Sequence, residues 1–566
     1  MGEPSSISIL WYSLIRHEFL FPIVLAGAIA ALAGRPLDWV SRRAGRWLSS
    51  RGRRPITASL AVFFLVIGIR LCLMTRVPVP APSAHDEFSQ LLLGDTFANG
   101  RLTNPPSPMW IHFETFHVNM HPTYQSMYQP GQGIFLALGQ GLFGSAYAGV
   151  MISVGLMCAA YLLAFREWLP PRWATLGALF TVLRYCSTDY WMNSYWGGAV
   201  AAAGGALMLG AYGRLWGKGR LTPRTGVLLA VGLLLLANTR PYEGLLYCIP
   251  FLAGVLFWLY RMREKALPVR SFVLPLLAVL VVGFGAMMFY FWRSTGNPLR
   301  MPYTVNQEQY HPTRPFVWQP LREVHYNHPV MQRVYTEWEM GFYNRTRSFP
   351  GIVSYGWERV RSYLGSYLYG LMFPFLIGLL YALRNARWGT IVGSVALMFA
   401  GMTLVTWQGL LHYSAPAASA LLLISLVGLR VISTALRRKN HFGLRFARAY
   451  ILVYAAMLFF LQIPVIEAAA HPVYSWARQR SAIVRDFDAK PGRHLIIVRY
   501  GPKHDQFQDW VYNGYDLENG KVLWAREMAD PAKNRELIDH YRGRQVWLLE
   551  ADRFRTTPVP YPDVKP

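Results

Sequence analysis

Three consecutive side chains able to move protons or hold charge, His85, Asp86 and Glu87, stand shortly after an apolar run over 56–74. An acid pair at such a place can complement a helix N-terminus, worth about 0.3–1 kcal/mol. It can also supply a general base, if its position against a substrate and its pKa are both right. Other ionisable side chains stand at the ends of apolar runs in the same way: Arg240, Tyr242 and Glu243 in NTRPYEG, and His412 and Tyr413 in QGLLHYSAP. His121, Tyr128 and Gln129 lie in NPPSPMWIHFETFHVNMHPTYQSMYQPGQG, a stretch dense in Pro, aromatic residues and His. Such a loop is a folded surface over a site more often than a linker.

The elements that must position these residues are membrane helices. Of the 566 residues 53% are hydrophobic and only 15% charged, and the apolar residues come in blocks near the length, about 20, that crosses a bilayer core of about 30 Å. The chain reads as an all-α polytopic membrane protein with a small C-terminal α/β domain. Spans are expected over 56–74, 146–165, 173–186, 197–216, 226–239, 243–260, 271–292, 365–383, 388–406, 412–433 and 448–466. The piece 19–33 is a twelfth crossing or an interfacial helix. A basic run rather than a small-residue cleavage site follows it, which argues against a signal peptide.

The net charge of +26 is distributed by side. Alternate loops on one side hold 25 Lys and Arg against three acids, Asp38, Glu167 and Glu264, the positive-inside pattern of cytoplasmic loops. These loops are short and dispersed, so the charge does not point to nucleic acid. The loops 75–145 and 293–364, the short turns at 240–242 and 407–411, and everything after about 467 then face outward, which places Asp86 on the extracytoplasmic side of a cell membrane.

The chain divides into an N-terminal apolar segment with a basic cytoplasmic loop (1–55), a transmembrane module with two long exterior loops (56–466), and a soluble exterior domain (467–566). In the first exterior loop, 87–99 reads as a short helix stopped by Gly100, and 133–143 as a helix lying in the outer interface. In the last domain 494–500, 521–528 and 544–550 read as strands and 534–541 as a helix, with Asn519-Gly520 as a turn. Cys72, Cys158, Cys186 and Cys248 lie in or at the ends of spans without metal-ligand spacing and read as packing residues.

Outside the cytoplasm there is no nucleotide sugar to consume, so an activated group must arrive on a lipid. A polyprenyl-phosphate sugar is such a donor, and a cation near the outer membrane face would stabilise the charge that develops on its phosphate. Arg240 fits, because its planar donor fork suits phosphate oxygens and the charge rule disfavours an outward Arg without a role; Tyr242 and Glu243 stand ready to orient it. Position alone equally suits an Arg snorkelling to lipid headgroups. A transporter or flippase of a lipid-linked or small substrate is the alternative. It would concentrate charge at the bilayer midplane and show internal repeats, whereas here the ionisable residues gather at the outer ends of spans.

The acid pair, the helix ending in Ala98-Asn99-Gly100-Arg101-Leu102, His121-Pro122 and Tyr128-Gln129-Pro130-Gly131 together resemble the membrane-embedded C-class (GT-C) glycosyltransferases. They are most similar to the bacterial relatives of protein O-mannosyltransferases and of the aminoarabinose transferases that modify lipid A. The resemblance covers 56–466 and is most specific over 84–136. It implies an inner-membrane enzyme that transfers a sugar from a polyprenyl-phosphate carrier to an extracytoplasmic lipid, glycan or protein by one inverting displacement. Asp86 would be the base and Glu87 its partner, with His85, His121, Tyr128, Gln129, Arg240, Tyr242, Glu243, His412 and Tyr413 on the substrates. No cofactor is required and no metal site is assigned, although a divalent cation has room beside His85, Asp86 and Glu87. The chain departs from the family at His412-Tyr413, where an Arg-Tyr pair is common, at Phe88, where Tyr is common, and in its C-terminal domain.

Overall fold

The computed structural model describes residues 20–562 apart from 188, 264–267, 440 and 472–473. Every segment expected to span is helical, but the helices are not equal. Six are long and apolar enough to cross a membrane: Pro55–Leu73, Ala146–Trp168, Pro241–Arg261, Val269–Thr295, Leu411–Ala435 and Phe442–Ala470. Two sharply bent pairs bring the number to eight among the described residues, against eleven or twelve expected. Pro171–Tyr185, Pro223–Ala237 and Ala386–Met402 have only 15, 15 and 17 residues. Gly198–Lys218 is long enough, but it is built largely of Ala and Gly and packs as a small-residue helix against its neighbours. The protein is a multi-pass membrane protein.

The expectation of one span over 365–383 is corrected. Phe349–Tyr367 and Met372–Ala382 meet at 108°, and the break contains Gly370 at φ 67°, a left-handed conformation that glycine adopts without steric cost. The segment 19–33 likewise does not continue straight, because Leu20–Leu32 turns through 109° into Pro36–Gly52. Residue 19 itself lies outside the described residues.

The first long loop folds onto one end of the bundle. Its helix His85–Ala98 starts two residues earlier than the sequence suggests, because Glu87 at its third position accepts from the Ala84 amide, one half of a capping box. The apolar piece expected over 133–143 is the helix Pro130–Phe143, with Pro at its first position and Gly144 ending it. A Cβ on Gly149 would lie 2.0 Å from the Phe135 carbonyl, and one on Gly139 2.1 Å from the Gly149 nitrogen. Only glycine permits this contact between Pro130–Phe143 and Ala146–Trp168. Gly149→Val is expected to destabilise the purified protein by about 1–3 kcal/mol through overpacking, read as a lowered unfolding temperature.

The C-terminal unit begins with the helix Trp476–Ala489 and holds a four-stranded sheet in the order Val522–Arg526, His494–Arg499, Gln545–Glu550, Val559–Pro560. The first three strands are parallel and the last pairs antiparallel. The unit shares a hydrophobic core with the first loop: Phe88, Leu92 and Phe113 are buried together with Leu495, Tyr512 and Leu523. A buried ion pair between Arg526 and Asp509 lies at the seam, where Thr115 Oγ1 donates to Asp509 Oδ2 at 2.7 Å. The C-terminal unit is thus built onto the loop that carries Asp86.

Candidate active site

A cavity of about 890 Å³ lies at this end of the bundle. Its wall joins His85 and Asp86 to His117, Tyr128 and Gln129 of the same loop, and to Arg240, Tyr242, Glu243 and Tyr413 at the ends of two membrane helices. Residues far apart in sequence complete it: Trp196, Tyr303, Arg314, Arg322, Trp407 and Phe507.

Asp86 is the second residue of its helix. Tyr128 Oη donates to its Oδ1, and His117 Nδ1 stands 3.0 Å from the same oxygen and 2.9 Å from the tyrosine hydroxyl. Oδ2 has no hydrogen-bond partner among the described residues. Burial by itself would raise the carboxyl pKa, but the charge and hydrogen bond of His117 outweigh it, with Arg240 adding to the effect, and hold Asp86 at about 2. Asp86 is therefore an anion over the whole physiological range, with one oxygen anchored and the other left for a ligand.

His117 reaches this position through an unusual backbone conformation, φ 61°, which costs a non-glycine residue of order 1 kcal/mol. The conformation is held from both sides, since the His117 carbonyl accepts from Ser89 Oγ at 2.6 Å and from the Met127 amide at 3.0 Å. The surrounding fold fixes this strain next to Asp86.

Arg240 ends the turn before Pro241–Arg261, and its guanidinium lies over the Tyr413 ring, 4.3 Å from the centre. Among the described residues no carboxylate is within ion-pair distance of it. Tyr242 does not orient it, because its hydroxyl donates to the Gly401 carbonyl at 2.8 Å. Glu243 is buried within electrostatic reach of Arg240 but makes no direct ion pair. Tyr413 is the residue in contact with the arginine, a role the sequence did not suggest.

Three expected site residues stand elsewhere. Glu87 is buried behind Asp86, and its carboxylate accepts from the amides of Ser83 (2.8 Å), Ala84 (3.0 Å) and Tyr195 (3.1 Å); burial raises its carboxyl pKa against the pull of these amides. It holds the turn that presents His85 and Asp86, and it does not line the cavity. Glu87→Ala leaves the buried Tyr195 amide without its partner, at about 1–3 kcal/mol, and should lower the unfolding temperature clearly. His121 is exposed and packs edge-on against Trp110, ring centres 4.9 Å apart. His412 is buried behind the wall, its Nδ1 2.7 Å from Tyr190 Oη and its ring stacked on Trp196, so that it supports Trp196 rather than a ligand.

Among the described residues no group of three His, Cys, Asp or Glu side chains is placed to hold a metal ion. The residues missed from the sequence are chiefly His117 and Phe507. His117 stands within the His-rich stretch quoted above, but nothing in its spacing marks it out from His112 or His121.

Neither a family model nor a curated protein sequence matches the chain. Three solved structures show a similar course of the chain. An oligosaccharyltransferase of Archaeoglobus fulgidus in the apo form has 12% identity over 79% of this chain, with a TM-score of 0.45. The oligosaccharyltransferase AglB of the same organism, in complex with an inhibitory peptide and a dolichol-phosphate, has 11% identity over 88% of this chain and 69% of its own, at 0.47. ArnT of Cupriavidus metallidurans bound to undecaprenyl phosphate has 13% identity over 86% of this chain and 92% of its own, at 0.45. The chain spans 62% of the length of the first of these structures. At such identities no residue role is carried across from them.

Proposed function

We propose that this protein is a glycosyltransferase that takes a sugar from a polyprenyl-phosphate carrier and transfers it to a hydroxyl or amine of an extracytoplasmic acceptor by a single inverting displacement. The observation that carries the reading is one cavity containing both an ionised carboxylate, Asp86, with one oxygen unpartnered among the described residues, and a guanidinium, Arg240, to which no carboxylate among the described residues is paired. The cavity wall also includes Leu245, which is 57% exposed on a membrane-length helix. That apolar edge suits the entry of a lipid tail from the bilayer.

The acceptor oxygen attacks the anomeric carbon while its proton passes to Asp86 Oδ2. The bond from that carbon to the phosphate oxygen breaks, and its electron pair leaves on polyprenyl phosphate, whose charge Arg240 neutralises. A carboxylate held at about 2 is a weak base. It suffices because the attacking hydroxyl becomes strongly acidic as its bond to carbon forms, so the proton moves late. The departing phosphate is already a competent leaving group, and the reading assigns no step to a cofactor. Tyr128 and His117 fix the carboxylate, Tyr413 supports the arginine, and transition-state charge is stabilised by groups already in place.

The test is a label experiment in liposomes containing the protein and a pool of polyprenyl-phosphate sugars labelled in the sugar, supplied with an extract of cell-envelope acceptors. Label should leave the carrier lipid with the wild-type protein and remain on it with Asp86→Asn. Label that crosses the bilayer still bound to its lipid, equally in both proteins, would identify a flippase instead.

A further inference from the structure

The second exterior loop brings two more arginines to the cavity wall, Arg314 and Arg322. Their backbone is fixed against the membrane bundle. Phe316 pairs with Val405 as an antiparallel bridge, the Thr406 amide donates to the Pro315 carbonyl at 3.0 Å, and Thr406 Oγ1 donates to the Arg314 carbonyl at 2.8 Å. The Arg322 amide donates to the Pro312 carbonyl at 2.9 Å, which folds the chain back so that both arginines stand on one wall.

The two side chains are set in the same way. Each is half-buried, with its Nε buried and without a hydrogen-bond partner, while the terminal nitrogens stay accessible. Neither guanidinium has a hydrogen bond or an ion pair among the described residues. The carboxylates of the same wall are engaged elsewhere: Glu308 pairs with Arg300, Glu339 with His311 and Thr313, and Asp86 with His117 and Tyr128. After burial, which lowers the Arg322 pKa most, the strongest influence on that group is the like charge of Arg314, and it exceeds the opposing pull of Glu308 or Glu339. Two cations held within electrostatic reach repel, and an anion that reaches both turns the repulsion into two attractions.

We propose that Arg314 and Arg322 form a second anion site in the cavity, one that takes a phosphate or carboxylate carried by the acceptor. This rests on the reading of the cavity as a glycosyl-transfer site and narrows its acceptor. On that reading the donor brings one phosphate, which Arg240 answers, so a further pair of cations serves an acid that the other substrate brings. The planar fork of a guanidinium suits phosphate and carboxylate oxygens alike. The acceptor is therefore an acidic sugar, or a sugar or lipid that bears a phosphate. The arginines bind and select it, and proton transfer stays with Asp86.

The test uses the full-length protein in phosphatidylcholine liposomes saturated with undecaprenyl phosphate, whose binding is measured first, so that Arg240 is occupied. Binding of glucose 6-phosphate is then compared with that of glucose, which lacks only the charged group. The wild type should bind the phosphorylated sugar roughly 10- to 100-fold more tightly, the range of one charged hydrogen bond. Arg314→Gln combined with Arg322→Gln should abolish this preference and leave undecaprenyl phosphate binding unchanged. If the double variant does not fold, each single variant is read alone and should lose most of the preference. A wild type that does not distinguish the two sugars, or a preference that survives the substitutions, overturns the inference. Loss of undecaprenyl phosphate from the double variant overturns it too, because the pair would then belong to the donor. Undecaprenyl phosphate that fails to bind the wild type would count against the glycosyltransferase reading itself, whereas normal binding beside a failed sugar result would leave that reading standing.

Discussion

Asp86→Asn should reduce sugar transfer by about 10²–10⁴-fold, the usual contribution of one general base, with donor binding nearly unchanged. The asparagine is isosteric, and its side-chain oxygen can still accept from Tyr128, so the local fold survives. What it loses is the capacity to take a proton as the acceptor attacks, an interaction made only on the way to the transition state. Such a change lowers kcat and kcat/KM together. The pH dependence follows in sign. A carboxylate held at about 2 by His117 stays ionised as pH falls from 8 to 5, so Asp86 should put no acid limb on kcat/KM in that interval. An acid limb with a midpoint near 5 that disappears in Asp86→Asn would contradict the low value and the role of His117 in producing it. Near-normal activity of Asp86→Asn would remove Asp86 as the base.

Arg240→Ala should have the second largest effect, and on a different step. A charged hydrogen bond to the donor phosphate is worth about 1.5–3 kcal/mol, or roughly 10- to 100-fold in donor affinity. Losing a preorganised donor to the developing phosphate charge costs a further 10²–10³ or so in turnover. Arg240→Lys should recover only part of either, because an ammonium keeps the charge but not the planar fork. The measurement is donor dissociation constant and single-turnover rate side by side. The ring of Tyr413, 4.3 Å from the guanidinium, makes Tyr413→Leu a milder version of the same loss. An Arg240→Ala protein with unchanged donor affinity would return this residue to the role of an interfacial charge.

Much of this was legible in the sequence because it rests on periodicity and on local rules. The apolar runs became helices, and the strands 494–500, 521–528 and 544–550 appeared within two residues of their expected ends at His494–Arg499, Val522–Arg526 and Gln545–Glu550. Asp86 and Arg240 were singled out by charge standing next to apolar runs, and both line the cavity. Glu87 shows the limit of that reasoning. Side by side in sequence, the two acids look like a pair, but successive residues on a helix point about 100° apart, and the cap at Ala84 takes the second one away from the cavity.

The rest depends on contacts that no spacing encodes. His117 meets Asp86 across 31 residues and only because of a left-handed backbone at that residue. Tyr512 reaches His85 across 427 residues, and Phe507 enters the cavity wall from the same C-terminal unit. The break at Gly370 lies inside an apolar run that hydropathy reads as continuous. Where tertiary contacts override local preference, the sequence alone supplies no signal, and here, the break at Gly370 apart, those places are the site itself.

The central claim, that this cavity holds a polyprenyl phosphate between Arg240 and Asp86, is tested most directly by native mass spectrometry of the gently purified protein beside Arg240→Ala. The account predicts a bound polyprenyl phosphate or its glycosylated form in the wild-type protein, with the sugar mass naming the donor, and its loss from the variant. A polyprenyl phosphate retained equally by both proteins, or a wild-type protein that carries only bulk phospholipid even after undecaprenyl phosphate is supplied, would contradict it.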